Sequence, residues 1–165
     1  MKNRIFSTFA SMLLGIGIAG ADELELPTMK EGLWEAHTQQ TIQGKTFETS
    51  LKMCKSHELD KSMRETAKSA RENLRKMKQC GDAVVTRPSA NVITSESHCA
   101  KDSSVIKSTI TFQGDTSYHM EMNVTTPQSQ TVTIIDDRFV GSCPADMKPG
   151  DAVMGDGKKM NLGAH

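Results

Sequence analysis

Phe47-Glu48-Thr49-Ser50-Leu51-Lys52-Met53 reads with a period of two. Phe47, Thr49, Leu51 and Met53 fall on one side and Glu48, Ser50 and Lys52 on the other, the alternation of a strand with one buried face. Gln43-Gly44 just upstream is a hairpin turn signal. Ahead of that turn, Trp34, Ala36 and Thr38 alternate with Leu33, Glu35 and His37. Two antiparallel strands joined by a tight turn therefore open the domain.

Beyond Met53 the period changes. Leu59, Met63, Ala67, Ala70, Leu74 and Met77 recur every three or four residues, which predicts a helix from about Ser56 to Gln79 with one narrow apolar stripe. Ser56 is a fitting N-cap, Glu58 and Asp60 stand in the first turn, and Arg75, Lys76 and Lys78 in the last, before Gly81. Between Lys55 and Lys78 there are eight cations and four acids. A solvated face is the expectation for them; attraction to anionic lipid or to a partner is the alternative. The stripe needs an apolar surface to rest on, and the sheet supplies one.

Further strands follow. Val84 and Val85 face Val92 and Ile93 across a turn at Pro88-Ser89-Ala90-Asn91; Ile106, Ser108, Ile110 and Phe112 alternate, as do Tyr118, Met120, Met122 and Val124. A last strand spans about 131–140, and Asp136-Asp137-Arg138 within it predicts a bulge or a polar sheet edge. From Pro144 on, periodicity is lost, and residues 144–165 are expected to form a flexible tail. The expected fold class is α+β: a mostly antiparallel, curved sheet of about seven strands, with one long helix inserted after the second strand and packed on the sheet.

The first residues bear on compartment. Lys2 and Arg4 precede an apolar run, Ile5 to Ala19, broken only by Ser7, Thr8 and Ser11, and Ala19-Gly20-Ala21 places small residues where a signal peptidase reads. Residues 1–21 are expected to be a signal peptide, residues 22–143 one disulfide-stapled domain, periplasmic or secreted. The apolar run falls short of the about 20 residues a membrane helix needs, and no second span follows. Without Lys2 and Arg4 the charge is 18 cations to 20 acids. That balance argues against nucleic acid as a partner; an envelope protein or a hydrophobic ligand is the remaining class.

Cys54, Cys80, Cys99 and Cys143 read as two disulfides in an exported chain. Three pairings are possible. Folding the segment 80–99 as a hairpin about Ser89-Ala90 sets Cys80 opposite Cys99, within reach of a cross-strand bridge; Cys54–Cys143 then follows by elimination. No Cys-x-x-Cys motif marks a zinc or redox site.

Gly32-Leu33-Trp34-Glu35, Met53-Cys54 opening a helix, a cysteine before a strand pair and Gly141-Ser142-Cys143 ending the last strand together carry a resemblance. Over about 29–143 the chain resembles an uncharacterised family of exported bacterial domains, a domain of unknown function common in proteobacteria. The resemblance implies export and a disulfide framework; it supplies no activity.

No His-Glu-x-x-His, Gly-x-Ser-x-Gly or phosphate-binding loop occurs. A non-catalytic binding or structural role is expected, with no cofactor and no catalytic residue. Trp34, Phe47, Phe112, Tyr118, Met120 and Met122 are candidates to line an apolar pocket under the helix. Met120 and Met122 could also offer thioethers to Cu(I), but their alternation fits core packing, and His119 points the other way. An unrecognised hydrolase is a further alternative.

Overall fold

The computed structural model describes residues 26–77 and 80–162. The expected signal peptide, 1–21, lies outside the described residues. Nine strands form one sheet: β1 (Gly32–Ile42), β2 (Lys45–Lys55), β3 (Val84–Ser89), β4 (Val92–Cys99), β5 (Ser104–Gln113), β6 (Ser117–Thr125), β7 (Gln130–Gly141), β8 (Asp151–Met154) and β9 (Lys159–Asn161). Helix α1 (His57–Lys76) interrupts them after β2. The spatial order is β3-β4-β5-β6-β7-β1-β2-β8-β9, and each neighbouring pair is antiparallel.

Short turns dictate most of this order. Gln43 and Gly44 both take positive φ, 49° and 79°, the geometry of a two-residue hairpin turn whose twist suits its strands. β1 and β2 then pair without a break from Gly32↔Lys55 to Ile42↔Lys45. The β3–β4 hairpin turns at Ala90-Asn91, one step later than Ser89-Ala90, because its register shifts between Thr86 and Ser89. Cys80 still lies opposite Cys99, and the bridges are Cys80–Cys99 and Cys54–Cys143. The second spans β1: Leu33 pairs with Cys54 on one side and with Gly141 on the other.

Register assigns the faces. Trp34, Met53, Phe112, Tyr118, Met120, Ile110, Ile93 and Ile135 stand on one side of the sheet. Ile93, Ile110, Phe112, Met120 and Ile135 form one buried cluster, with Leu26, Met29, Val85 and Tyr118 packed against it. Leu51, Met53 and Ala152 form a second, beside Met154, Met160 and Leu162.

Four expectations are corrected. The strands number nine among the described residues, not about seven. The segment after Pro144 is not a loose tail: it supplies β8 and β9, with β8 hydrogen-bonded to β2 and Ala152 buried opposite Met53. Asp136-Asp137-Arg138 makes neither a bulge nor an edge, because β7 lies between β6 and β1; the irregularity falls at Leu33/Trp34 instead. Finally, α1 does not lie along the sheet. Leu59 is buried and Met63 and Ala67 are half-buried, whereas Ala70 is exposed and Met77 is 58% exposed. The stretch Leu26–Met29 takes the place beside the core, where Leu26 and Met29 pack against the buried cluster.

Ser56 caps α1 by accepting a hydrogen bond from the Leu59 amide at 3.2 Å. Ser56→Ala is expected to weaken the helix by about 1 kcal/mol. Since α1 touches the core chiefly through Leu59, the loss should show as faster amide exchange within 57–66 while the sheet amides keep their protection.

Candidate functional site

Two arrangements of polar side chains stand on opposite faces of the sheet. On the apolar face, β1 brings Trp34, β6 brings Tyr118 and β7 brings Asp137, with Tyr118 and Asp137 directly paired. The end of β2 adds Lys55, which stands opposite Gly32. The Lys55 ammonium pairs with Asp137 Oδ2 and lies 4.6 Å from the centre of the Trp34 ring and 5.4 Å from that of Tyr118. The Lys55 and Asp137 side chains are only 13% and 3% exposed. A charge taken this far out of water needs a partner, and here a carboxylate and two aromatic faces replace its hydration. Asp137 Oδ1 has no hydrogen-bond partner among the described residues.

The neighbourhood shifts two further groups. Burial, reinforced by the charge of Asp137, pushes the Tyr118 phenol well above its usual range. Burial also raises the Asp60 carboxyl, in the first turn of α1, against the opposing pull of Lys55. Trp34 is 1% exposed and donates its indole N–H to the Lys30 carbonyl at 2.8 Å. Gly32 has φ +137°, and a Cβ there would strike the Gly141 carbonyl oxygen; the glycine of Gly-Leu-Trp-Glu is what lets β7 approach β1 beside this cluster.

The opposite face carries an open groove of about 600 Å3. Two cross-strand rows line it. One runs His119, Asp136, His37, Ser50 across β6, β7, β1 and β2; the next runs Ser117, Arg138, Glu35, with Lys52 next in register outside the lining. Arg138 donates to Glu35 Oε2 from Nη2 at 2.6 Å and from Nε at 3.2 Å, and Lys52 lies 3.5 Å from the other oxygen. These cations hold the Glu35 carboxyl below its ordinary value, the Arg138 hydrogen bond first among the causes. His119 places Nδ1 2.7 Å from Asp136 and Nε2 3.3 Å from Glu121.

The Asp136 hydrogen bond raises the His119 pKa above 6.5, with Glu121 adding to it and burial opposing it. A raised folded-state value means that the stabilisation is complete below the unfolded value of about 6.5. It disappears as pH rises through the folded value. An NMR titration of the imidazole should give a midpoint above that of a free histidine, and Asp136→Asn should bring it down. With both nitrogens facing carboxylates, the ring is set up as a held cation rather than as a base. No histidine among the described residues hydrogen-bonds a serine.

The residues singled out from sequence separate into two groups. Trp34 and Phe112 each lie close to Tyr118, with ring centres 6.4 and 6.2 Å apart. Phe112 and Met120 belong to one buried cluster. These side chains pack on one another. Phe47 is 45% exposed at the far end of β2, opposite Gln40, and Met122 lies between Ser108 and Thr133. Met120 and His119 face opposite sides, so they cannot share a copper ion. Periodicity passed over Lys55, Asp137 and the His119–Asp136 pair. Asp137 did carry a signal, as an acid at an inward position of an apolar strand, but its partner lies 82 residues away.

Among the described residues, no group of three or more histidine, cysteine or acidic side chains is arranged to hold a metal ion. No helix among them is long and apolar enough to cross a membrane. No curated relative and no solved structure matches the chain. A family model described as a protein of unknown function (DUF3617) matches residues 29–143, from the segment before β1 to the cysteine after β7, and the chain belongs to that family.

Proposed function

We propose that this protein is exported with residues 1–21 as a cleaved signal peptide, and that it acts outside the cytosol as a non-catalytic binding domain whose ligand sits in the polar groove. Export is supported by the charged and apolar leading residues, by the small residues at 19–21 and by two disulfides with no free cysteine among the described residues. The groove reading rests on one observation: opposite charges stand side by side in two adjacent rows, His119 beside Asp136 on β6 and β7, and Arg138, Glu35 and Lys52 in turn on β7, β1 and β2. Such a surface offers acceptors at Glu35 and Asp136 and donors at Arg138 and a protonated His119. It suits a small polar ligand bearing both signs of charge better than an apolar one. Four of the six residues read as an apolar pocket, Trp34, Phe112, Tyr118 and Met120, pack on one another, which favours the polar face as the working one.

The test is a two-dimensional NMR titration of the mature domain with the dipeptide alanyl-alanine as a zwitterionic probe. Saturable shifts confined to β1, β6 and β7, lost in Arg138→Ala, are expected. Shifts scattered over the surface, or none at millimolar probe, would remove the groove as a binding site. For export, residues 1–25 fused to alkaline phosphatase, which needs disulfides to be active, should give activity; an inactive fusion would count against it.

A further inference from the structure

We propose that α1 is a docking surface for an anionic phospholipid bilayer, an inference independent of the groove. The helix is 20 residues long and meets the core chiefly through Leu59. Beyond its first turns it stands clear of the sheet, and Ala70 and Met77 remain exposed. At about 100° per residue, its side chains sort into three bands. Met63, Ala67, Ala70 and Met77 continue the apolar stripe. Arg64, Lys68 and Arg75, all exposed, run along one flank of it. Glu58, Glu65 and Glu72 recur every seven residues on the far side. The sequence places eight cations and four acids between Lys55 and Lys78, and the helical rotation gathers most of the cations on one flank of a shallow apolar strip, with Asp60 on that flank and Lys76 among the acids.

The chemistry of the occupant follows from what each band lacks. Two methionines, two alanines and one leucine, Leu74, follow Leu59 in the stripe, and they include no aromatic anchor for a shaped protein groove. A bilayer surface requires none: it needs cations at headgroup level and modest apolar contact, the pattern of a helix lying in the interface. Negative headgroups match the Arg64–Lys68–Arg75 band; Glu58, Glu65 and Glu72 lie on its far side, while Asp60 stands one turn before Arg64 and Asp82 lies 3.7 Å from Arg75. The helix is tied to the domain at both ends, by Leu59 in its first turn and by the Cys80–Cys99 bridge just after its last, so its exposed middle can meet such a surface without disturbing the sheet.

The test is co-sedimentation of the mature, disulfide-intact protein with vesicles of phosphatidylglycerol and phosphatidylcholine, and with phosphatidylcholine alone. Binding is expected only to the anionic vesicles, about tenfold weaker when salt rises from 50 to 300 mM. Each basic residue near an anionic surface contributes about fivefold. Arg64→Glu/Lys68→Glu/Arg75→Glu should therefore bind roughly a hundredfold more weakly. Lys101→Glu/Lys148→Glu/Lys158→Glu, with the same change in net charge, should lose less than about threefold. Circular dichroism checks that both fold. Equal loss in the two variants, or no binding to anionic vesicles, would overturn the proposal. So would retention on polyglutamate beads as tight as on vesicles, which would assign the band to an acidic protein. Dimerisation abolished by Met63→Ser/Met77→Ser, without vesicle binding, would assign the face to a second copy and overturn it as well.

Discussion

Asp137→Ala is expected to destabilise the domain by about 3–5 kcal/mol. Asp137 sits near the middle of the sheet on the apolar face, 4% exposed, and is the carboxylate that balances the Lys55 ammonium. Removing it leaves that ammonium against Trp34 and Tyr118 with only the Asp60 carboxyl nearby, whose charge burial disfavours, and cation–π attraction of about 0.5–2 kcal/mol cannot replace an ion pair. The cost comes from the stranded charge more than from the lost contact, which makes a double substitution informative. Lys55→Met/Asp137→Leu removes both charges and keeps the volume, so it should recover most of the loss. Urea unfolding with an unchanged m-value is the measurement. An Asp137→Ala loss below about 1 kcal/mol would mean that water reaches Lys55 and that the pair is not buried in solution.

The second large effect is expected at the bridge that spans β1. Cys54 and Cys143 are separated by 89 residues and Cys80 and Cys99 by 19. In the chain-entropy account a crosslink stabilises more as its loop lengthens, giving about 4–5 kcal/mol for the first and about 3 kcal/mol for the second. Cys54 is fully buried and Cys99 is buried as well, so each double variant loses one buried sulfur and the difference between them falls to loop length. Cys54→Ala/Cys143→Ala should therefore have the lower urea midpoint of the two double variants. The reverse order would place the stabilisation in the folded state near Cys80 and not in the restricted unfolded chain. A protein so dependent on its bridges would fold poorly in a reducing compartment, which ties this measurement to the proposed export.

Much of the sheet was legible because its signals are local. Gln43-Gly44 demands positive φ, and the alternation from Phe47 to Met53 declares its own buried face. Gln113-Gly114 and Thr126-Pro127 mark turns in the same way. The Cys80–Cys99 pairing was legible for a related reason: a short hairpin carries its own register, and a one-residue shift of the turn still left the cysteines opposite. β8 and β9 were missed because each is too short to show a period. Asp151-Ala152-Val153-Met154 becomes a strand by pairing with β2, which already displays an edge.

The helix shows a different kind of failure. Its stripe predicted a helix correctly, yet amphipathicity states only that one side is less polar; it does not say what covers that side. Coverage depends on which apolar segment best fills the space over Ile93, Phe112 and Met120, and Leu26 and Met29 fill it. The candidate site failed for the same reason. Each of Lys55, Asp137, His119 and Asp136 has an ordinary neighbourhood in the sequence, and their meaning comes from strands that meet only after β7 returns beside β1.

The amino-acid sequence by itself determined the strand faces, the tight turns, the extent of α1 and the even set of cysteines, since backbone sterics and side-chain periodicity act over a few residues. Only the tertiary structure decided that β1 lies between β7 and β2, that a carboxylate and an ammonium far apart in the chain share the apolar face, and that α1 stands away from the sheet. Those outcomes rest on long-range competition for buried area and for charge partners, and no short window of residues contains both competitors.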